Sequence, residues 1–84
     1  MNLKLNEWNE SCKYAEKVCE TLKDKGFNIK IKPYSMYNGS KGIHLQIFDC
    51  FGNFFSQYAT GTCTNVLDMK KSIDRMANRI ITET

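Results

Sequence analysis

Ile43-His44-Leu45-Gln46-Ile47-Phe48-Asp49-Cys50-Phe51-Gly52-Asn53-Phe54-Phe55-Ser56-Gln57-Tyr58-Ala59-Thr60 is the stretch that decides the fold. Two alternating runs flank a four-residue turn, and alternation with a period of two is the mark of a half-buried strand. Asp49 opens the turn and Gly52 closes it. Those residues suit a type I turn followed by a left-handed position, the connection that makes a hairpin with a G1 bulge. That register pairs Ile47 with Phe55, Leu45 with Gln57 and Ile43 with Ala59 on the face turned to the rest of the core. It pairs Phe48 with Phe54, Gln46 with Ser56 and His44 with Tyr58 on the opposite face. A two-residue turn would slip the pairing by one and exchange the two faces of the second strand. The position of the glycine favours the first register.

Working outward, residues 27–32 alternate in the same way. Phe27, Ile29 and Ile31 point to one side; Asn28, Lys30 and Lys32 point to the other. Pro33 ends this strand or marks it as an edge, because proline cannot donate to a ladder. Upstream, Leu5, Trp8, Cys12, Ala15, Cys19 and Leu22 recur at helical spacing, so a helix is expected from about residue 3 or 6 to residue 25. Asn2 and Asn6 are both suitable N-caps. Gly26 follows basic residues, as a terminating glycine should. Downstream, Val66, Met69, Ile73, Met76 and Ile80 form a second stripe. Asn65 is its expected N-cap, with Asp68 in the first turn. Lys71, Arg75 and Arg79 make a basic line on its outer side.

The expected fold is therefore α+β, in the order α-β-β-β-α. A three-stranded antiparallel sheet carries two helices on one face. The chain has 84 residues, which makes one domain, residues 1–84, with a core one layer deep. The expected core is Trp8, Cys12, Ala15, Cys19, Leu22, Ile29, Ile31, Leu45, Ile47, Met69, Ile73, Met76 and Ile80.

A composition of 42% apolar and 25% charged residues places the chain among folded domains rather than disordered ones. The net charge is +3, so attraction to phosphate is allowed but not demanded. Residues 2–10 carry three charges and no apolar run, so neither a signal peptide nor a membrane span is expected, and the cytoplasm is the expected compartment.

The residues offer no catalytic or metal-binding constellation. Cys12 and Cys19 lie roughly 10 Å apart along one helix face, beyond the ~7 Å reach of a disulfide. No close Cys or His pair suggests zinc. His44 is the only histidine. Cys50 sits at the hairpin tip about 20 Å from it at strand rise, too far for a nucleophile and its base. Asn38-Gly39-Ser40-Lys41-Gly42 has glycines and a lysine but precedes a strand, whereas a phosphate loop opens a helix. No cofactor is expected, and no enzyme activity.

Two partial resemblances bear on partners. The element order resembles the double-stranded-RNA-binding domain, with Gly42, His44 and Phe48 in its second-strand region and Lys70-Lys71 at its second helix. The family's denser lysine cluster and alanine-rich second helix are missing. Residues 43–81 are similar to the arm-DNA-binding domain of phage integrases in their strand, Asp-x-x-Gly-Asn turn, strand, Thr and helix. That resemblance implies a sheet entering a major groove, but the leading helix lies outside the pattern. Neither family is assigned.

What the core does not absorb points to a partner. Phe48, Phe54 and Tyr58 are left on the outer sheet face, and the 34–42 connection holds Tyr34, Met36 and Tyr37. Contiguous apolar patches on small monomers usually have a partner. The leading expectation is a non-enzymatic protein-binding module. In size it resembles the small inhibitors, anti-CRISPR proteins among them, with which phages and mobile elements block host defence. The partner would then be a host protein or protein complex in the bacterial cytoplasm. A chain of charge +3 is no acidic nucleic-acid mimic, so such an inhibitor would block a surface or a conformational step. Expected contacts are Tyr37, Phe48, Phe54 and Tyr58 as anchors, Tyr34, Met36 and His44 beside them, and Lys30, Lys32 and Lys41 as a polar rim. The alternative is nucleic-acid binding over Lys30, Lys32, His44, Phe48 and Tyr58, with bases stacking on the aromatics. A homodimer through the same face is compatible with either.

Overall fold

A computed structural model describes residues 3–83. The elements are α1 (Leu5–Asp24), β1 (Asn28–Ser35), β2 (Lys41–Phe48), β3 (Phe54–Ala59) and α2 (Val66–Glu83), in the order α-β-β-β-α. The sheet is antiparallel with β2 in the centre. Both helices pack on one of its faces, as the stripes require.

Each boundary has a local cause. Asn2 lies outside the described residues, and Asn6 is inside α1 rather than before it. The helix starts after Lys4, whose amide donates to the Glu7 carboxylate at 3.0 Å, half of a capping box. At its other end Gly26 takes φ +102°. Its amide bonds to the Lys23 carbonyl, and that of Phe27 to the Leu22 carbonyl. This is a Schellman ending, which satisfies carbonyls the helix leaves open. Asn65 caps α2 as expected: its Oδ1 accepts from the Asp68 amide at 2.8 Å.

The core consists of Ala15, Cys19 and Leu22 from α1, Ile29, Ile43, Leu45 and Ile47 from the sheet, and Met69, Ile73, Met76 and Ile80 from α2, with Leu3 at its edge. Trp8, Cys12 and Ile31 are only half-buried. Ala15, Cys19 and Leu22 hold their expected places in α1, but one turn earlier Ser11 is fully buried where Cys12 was expected. Its hydroxyl donates to the Glu7 carbonyl at 2.9 Å, which removes the cost of burying it.

The strands depart from expectation in two places. β1 runs through Pro33 to Ser35. Pro33 lies opposite Ile43, whose amide and carbonyl both turn towards Thr60. The proline nitrogen therefore points away from β2, and no ladder bond is lost. The second departure is a bulge. The turn forms as expected, with the Gly52 amide on the Asp49 carbonyl at 3.0 Å and Gly52 at φ +86°. Phe48 then pairs with Phe54, but Ile47 pairs with Ser56, Leu45 with Tyr58, Gln46 with Gln57 and His44 with Ala59. Phe55 is the extra residue.

The reason for the bulge is polarity. Without it Gln57 would lie opposite Leu45 on the buried face and Tyr58 would face outward. Burying an amide without a partner costs several times what a hydrogen bond returns. One inserted residue sends Gln57 out, where it accepts from Gln46 at 2.9 Å. It also turns Tyr58 in, where the ring packs against the core.

Candidate protein-binding surface

The outer sheet face presents Lys30, Lys32 and Tyr34 from β1, His44, Gln46 and Phe48 from β2, and Phe54, Gln57 and Ala59 from β3. Their side chains are organised by contacts across the strands. The Lys30 ammonium lies 5.1 Å from the centre of the Phe48 ring. Phe48 and Phe54 meet edge to face at 6.0 Å and 83°, the arrangement the ring quadrupoles favour. Tyr34 and His44 stack at 4.2 Å and 19°. Tyr34 also lies on Gly42, where a Cβ would run into its ring.

Two expected site residues sit elsewhere. Tyr58 does not face outward beside His44. The bulge turns it to the helix side, where its hydroxyl donates to the Glu83 carboxylate at 3.2 Å and Arg79 covers its ring at 5.0 Å. Arg79 in turn bonds Glu83 at 2.9 Å, so the end of the basic line on α2 is engaged within the fold. Lys41 is not on the outer rim either. It alternates with Gly42 and so lies on the helix side, 5.6 Å from the centre of the Trp8 ring. Its ammonium also donates to the Ser35 hydroxyl at 3.4 Å.

Nor do the remaining residues form one patch. Met36 and Tyr37 lie in the β1–β2 loop, at one end of the sheet. Phe48 and Phe54 lie at the other end, about 24 Å away over the length of β2. Tyr37 is fully exposed on its own.

The hairpin end is richer in aromatics than the alternation indicated. Phe51 is 85% exposed, Phe54 59% and Phe55 65%. With half-buried Phe48 they give four phenylalanines within eight residues. Phe51 was hidden from a periodicity argument because it sits inside the turn, and Phe55 because a regular register buries it. Their shared signal is a run of 18 residues, 50–67, without a charged side chain. The turn that presents Phe51 is well fastened. The Asp49 carboxylate accepts from the amides of Asn53 at 2.8 Å and Phe51 at 2.9 Å. Those bonds, that from Asn53 foremost, hold its pKa below the ordinary aspartate value. The Asn28 side chain donates to the Asp49 carbonyl at 3.0 Å.

The helix side offers a different texture. Lys70 bridges Glu10 at 2.7 Å, and the Tyr14 hydroxyl donates to Asp74 at 2.6 Å. A shallow depression there is lined by Glu10, Lys13, Tyr14, Lys17 and Lys70, and the Glu10–Lys70 ion pair lies in its wall. Cys12, Cys19, Cys50 and Cys63 are free thiols. Among the described residues no three His, Cys, Asp or Glu side chains are grouped to hold a metal, and no helix is long and apolar enough to cross a membrane. No family model, curated protein or solved structure matches this chain.

Proposed function

We propose that the protein is a non-enzymatic binding module that grips another protein with the hairpin end of its outer sheet face. The observation that carries this reading is the exposure of Phe51 on a tightly tied turn and of Phe54 and Phe55 at the start of β3. Holding such rings in water is unfavourable by roughly 1.5–3 kcal/mol for each side chain that could be buried. A rigid aromatic knob loses little entropy when a partner closes over it. Lys30, Lys32 and Asn28 supply a polar edge.

The narrower form of the proposal is an inhibitor of a host defence complex, carried by a phage or mobile element; small size and an apolar contact surface at the hairpin end suit it. Nucleic-acid binding over the same face has less support. The Tyr34 and His44 rings already cover one face of each other and Lys30 occupies a face of Phe48, which leaves less ring surface for bases.

The test is capture of partners from a host lysate by the parent protein and by Phe51→Ala, Phe54→Ala and Lys32→Ala. Truncating an aromatic anchor typically costs about 2 kcal/mol, while a rim charge costs far less. Loss of the captured protein in both phenylalanine variants, at an unchanged melting temperature, supports the reading. Retention in both, or capture of nucleic acid with steep salt dependence, sinks it.

A further inference from the structure

We propose that the free edge of β3 pairs with β3 of a second copy, joining two sheets into one of six strands. The two edges of the sheet are unlike. β1 carries Pro33, whose missing amide lies on its outward side, and Lys30 and Lys32, which would meet their own copies across a two-fold axis. These are the usual devices that keep an edge from pairing. β3 has neither proline nor charge. In a chain of net charge +3, this neutral strand itself sets no like charges against each other.

The backbone of β3 fixes how a second copy would fit. Thr60 donates to the Ile43 carbonyl, so Ile43–Thr60 is a hydrogen-bonded pair. By alternation, Leu45–Tyr58 and Ile47–Ser56 are too. The amides and carbonyls of Gln57 and Ala59 therefore point away from β2. No described residue bonds them. A two-fold axis through Tyr58 sets Gln57 opposite Ala59 of the second copy, and Ala59 opposite its Gln57. Each pair can exchange both N–H···O=C bonds. A long side chain then faces a short one, which avoids crowding. The bulge at Phe55 lies outside the paired stretch, so it limits the edge without blocking it.

The side chains near this axis are balanced as well. On the helix side Tyr58 would meet Tyr58 of the second copy. Each ring carries its own Arg79 and Glu83, so each copy brings one cation and one anion. An isologous contact needs such self-complementarity.

Sedimentation over a wide range of protein concentration tests the proposal, together with amide hydrogen exchange. The parent should pass reversibly from monomer to dimer, and exchange at Gln57 and Ala59 should slow as concentration rises. Ala59→Pro removes an outward amide that makes no bond within the monomer. Gln57→Lys sets a lysine near its own copy. Each should weaken association by roughly tenfold or more, and Phe51→Ala should leave it unchanged. A parent that stays monomeric at every concentration overturns the proposal. So does a dimer that persists in both edge variants, or one whose Gln57 and Ala59 amides exchange freely. Because mass and partner capture are read separately, either proposal can fail alone.

Discussion

A single hydrogen atom separates Gly42 from every other residue that could stand at its place in β2. The Tyr34 ring rests on that hydrogen and stacks on His44 beyond it, so glycine is needed here for space rather than for a left-handed backbone. Gly42→Ala should therefore destabilise the fold by about 1–3 kcal/mol, the usual range for overpacking. Most of that loss should vanish when Tyr34→Ala is present too, because the two changes share one contact. Urea denaturation of the four proteins in the cycle checks this; additive losses would mean the ring moves aside without cost. Tyr58 teaches the opposite lesson about side chains. Its ring belongs to the core and its hydroxyl to Glu83, so it contributes to folding rather than to an outer contact.

Among the elements, the hairpin turn is one whose stability depends on a charge. Asp49 has a folded pKa below its unfolded value because amides of Asn53 and Phe51 bond the carboxylate. The contribution is complete above the unfolded pKa and disappears as pH falls through the folded one. The melting temperature should thus drop on acidification below the ordinary aspartate range. Asp49→Asn should melt lower at neutral pH and lose part of that dependence. Equal pH profiles for parent and variant would show that the turn is held by its backbone alone. This turn was legible in the sequence because an Asp and a Gly at fixed spacing have local reasons to be there. The helices were legible because one stripe of side chains must meet one core. The strand after the turn was only half legible. The turn residues specify one register and the polarity of Gln57 and Tyr58 specifies the other. An inserted Phe55 satisfies both, and no period-two pattern contains such a residue. Lys41 was misplaced for a related reason: which face it takes depends on Gly42 and Ile43, not on the loop it follows.

For the molecule as a whole, every formal charge lies outside residues 50–67. Charge is concentrated on the helices and on the outer side of β1, while the hairpin end and β3 are neutral and partly apolar. The expected single contact surface resolves into a phenylalanine-rich end and a separate Met36–Tyr37 loop, because a strand of eight residues separates them. That division was hidden in the sequence, where the eight residues of β2 are all that stands between the loop and the turn. Exposed Cys50 sits in the same turn, beside Phe51. The Cys19 thiol is buried and that of Cys12 half-buried; desolvation raises both pKa values and so depresses their reactive thiolate. The hairpin end consequently carries its own chemical reporter. Brief alkylation of the native protein should label Cys50 first and Cys19 last, as peptide mass spectrometry would show; equal labelling of the two would reveal frequent opening between α1 and β1. A partner seated on the phenylalanines should shield that thiol, whereas a second copy joined along β3 should leave it reactive.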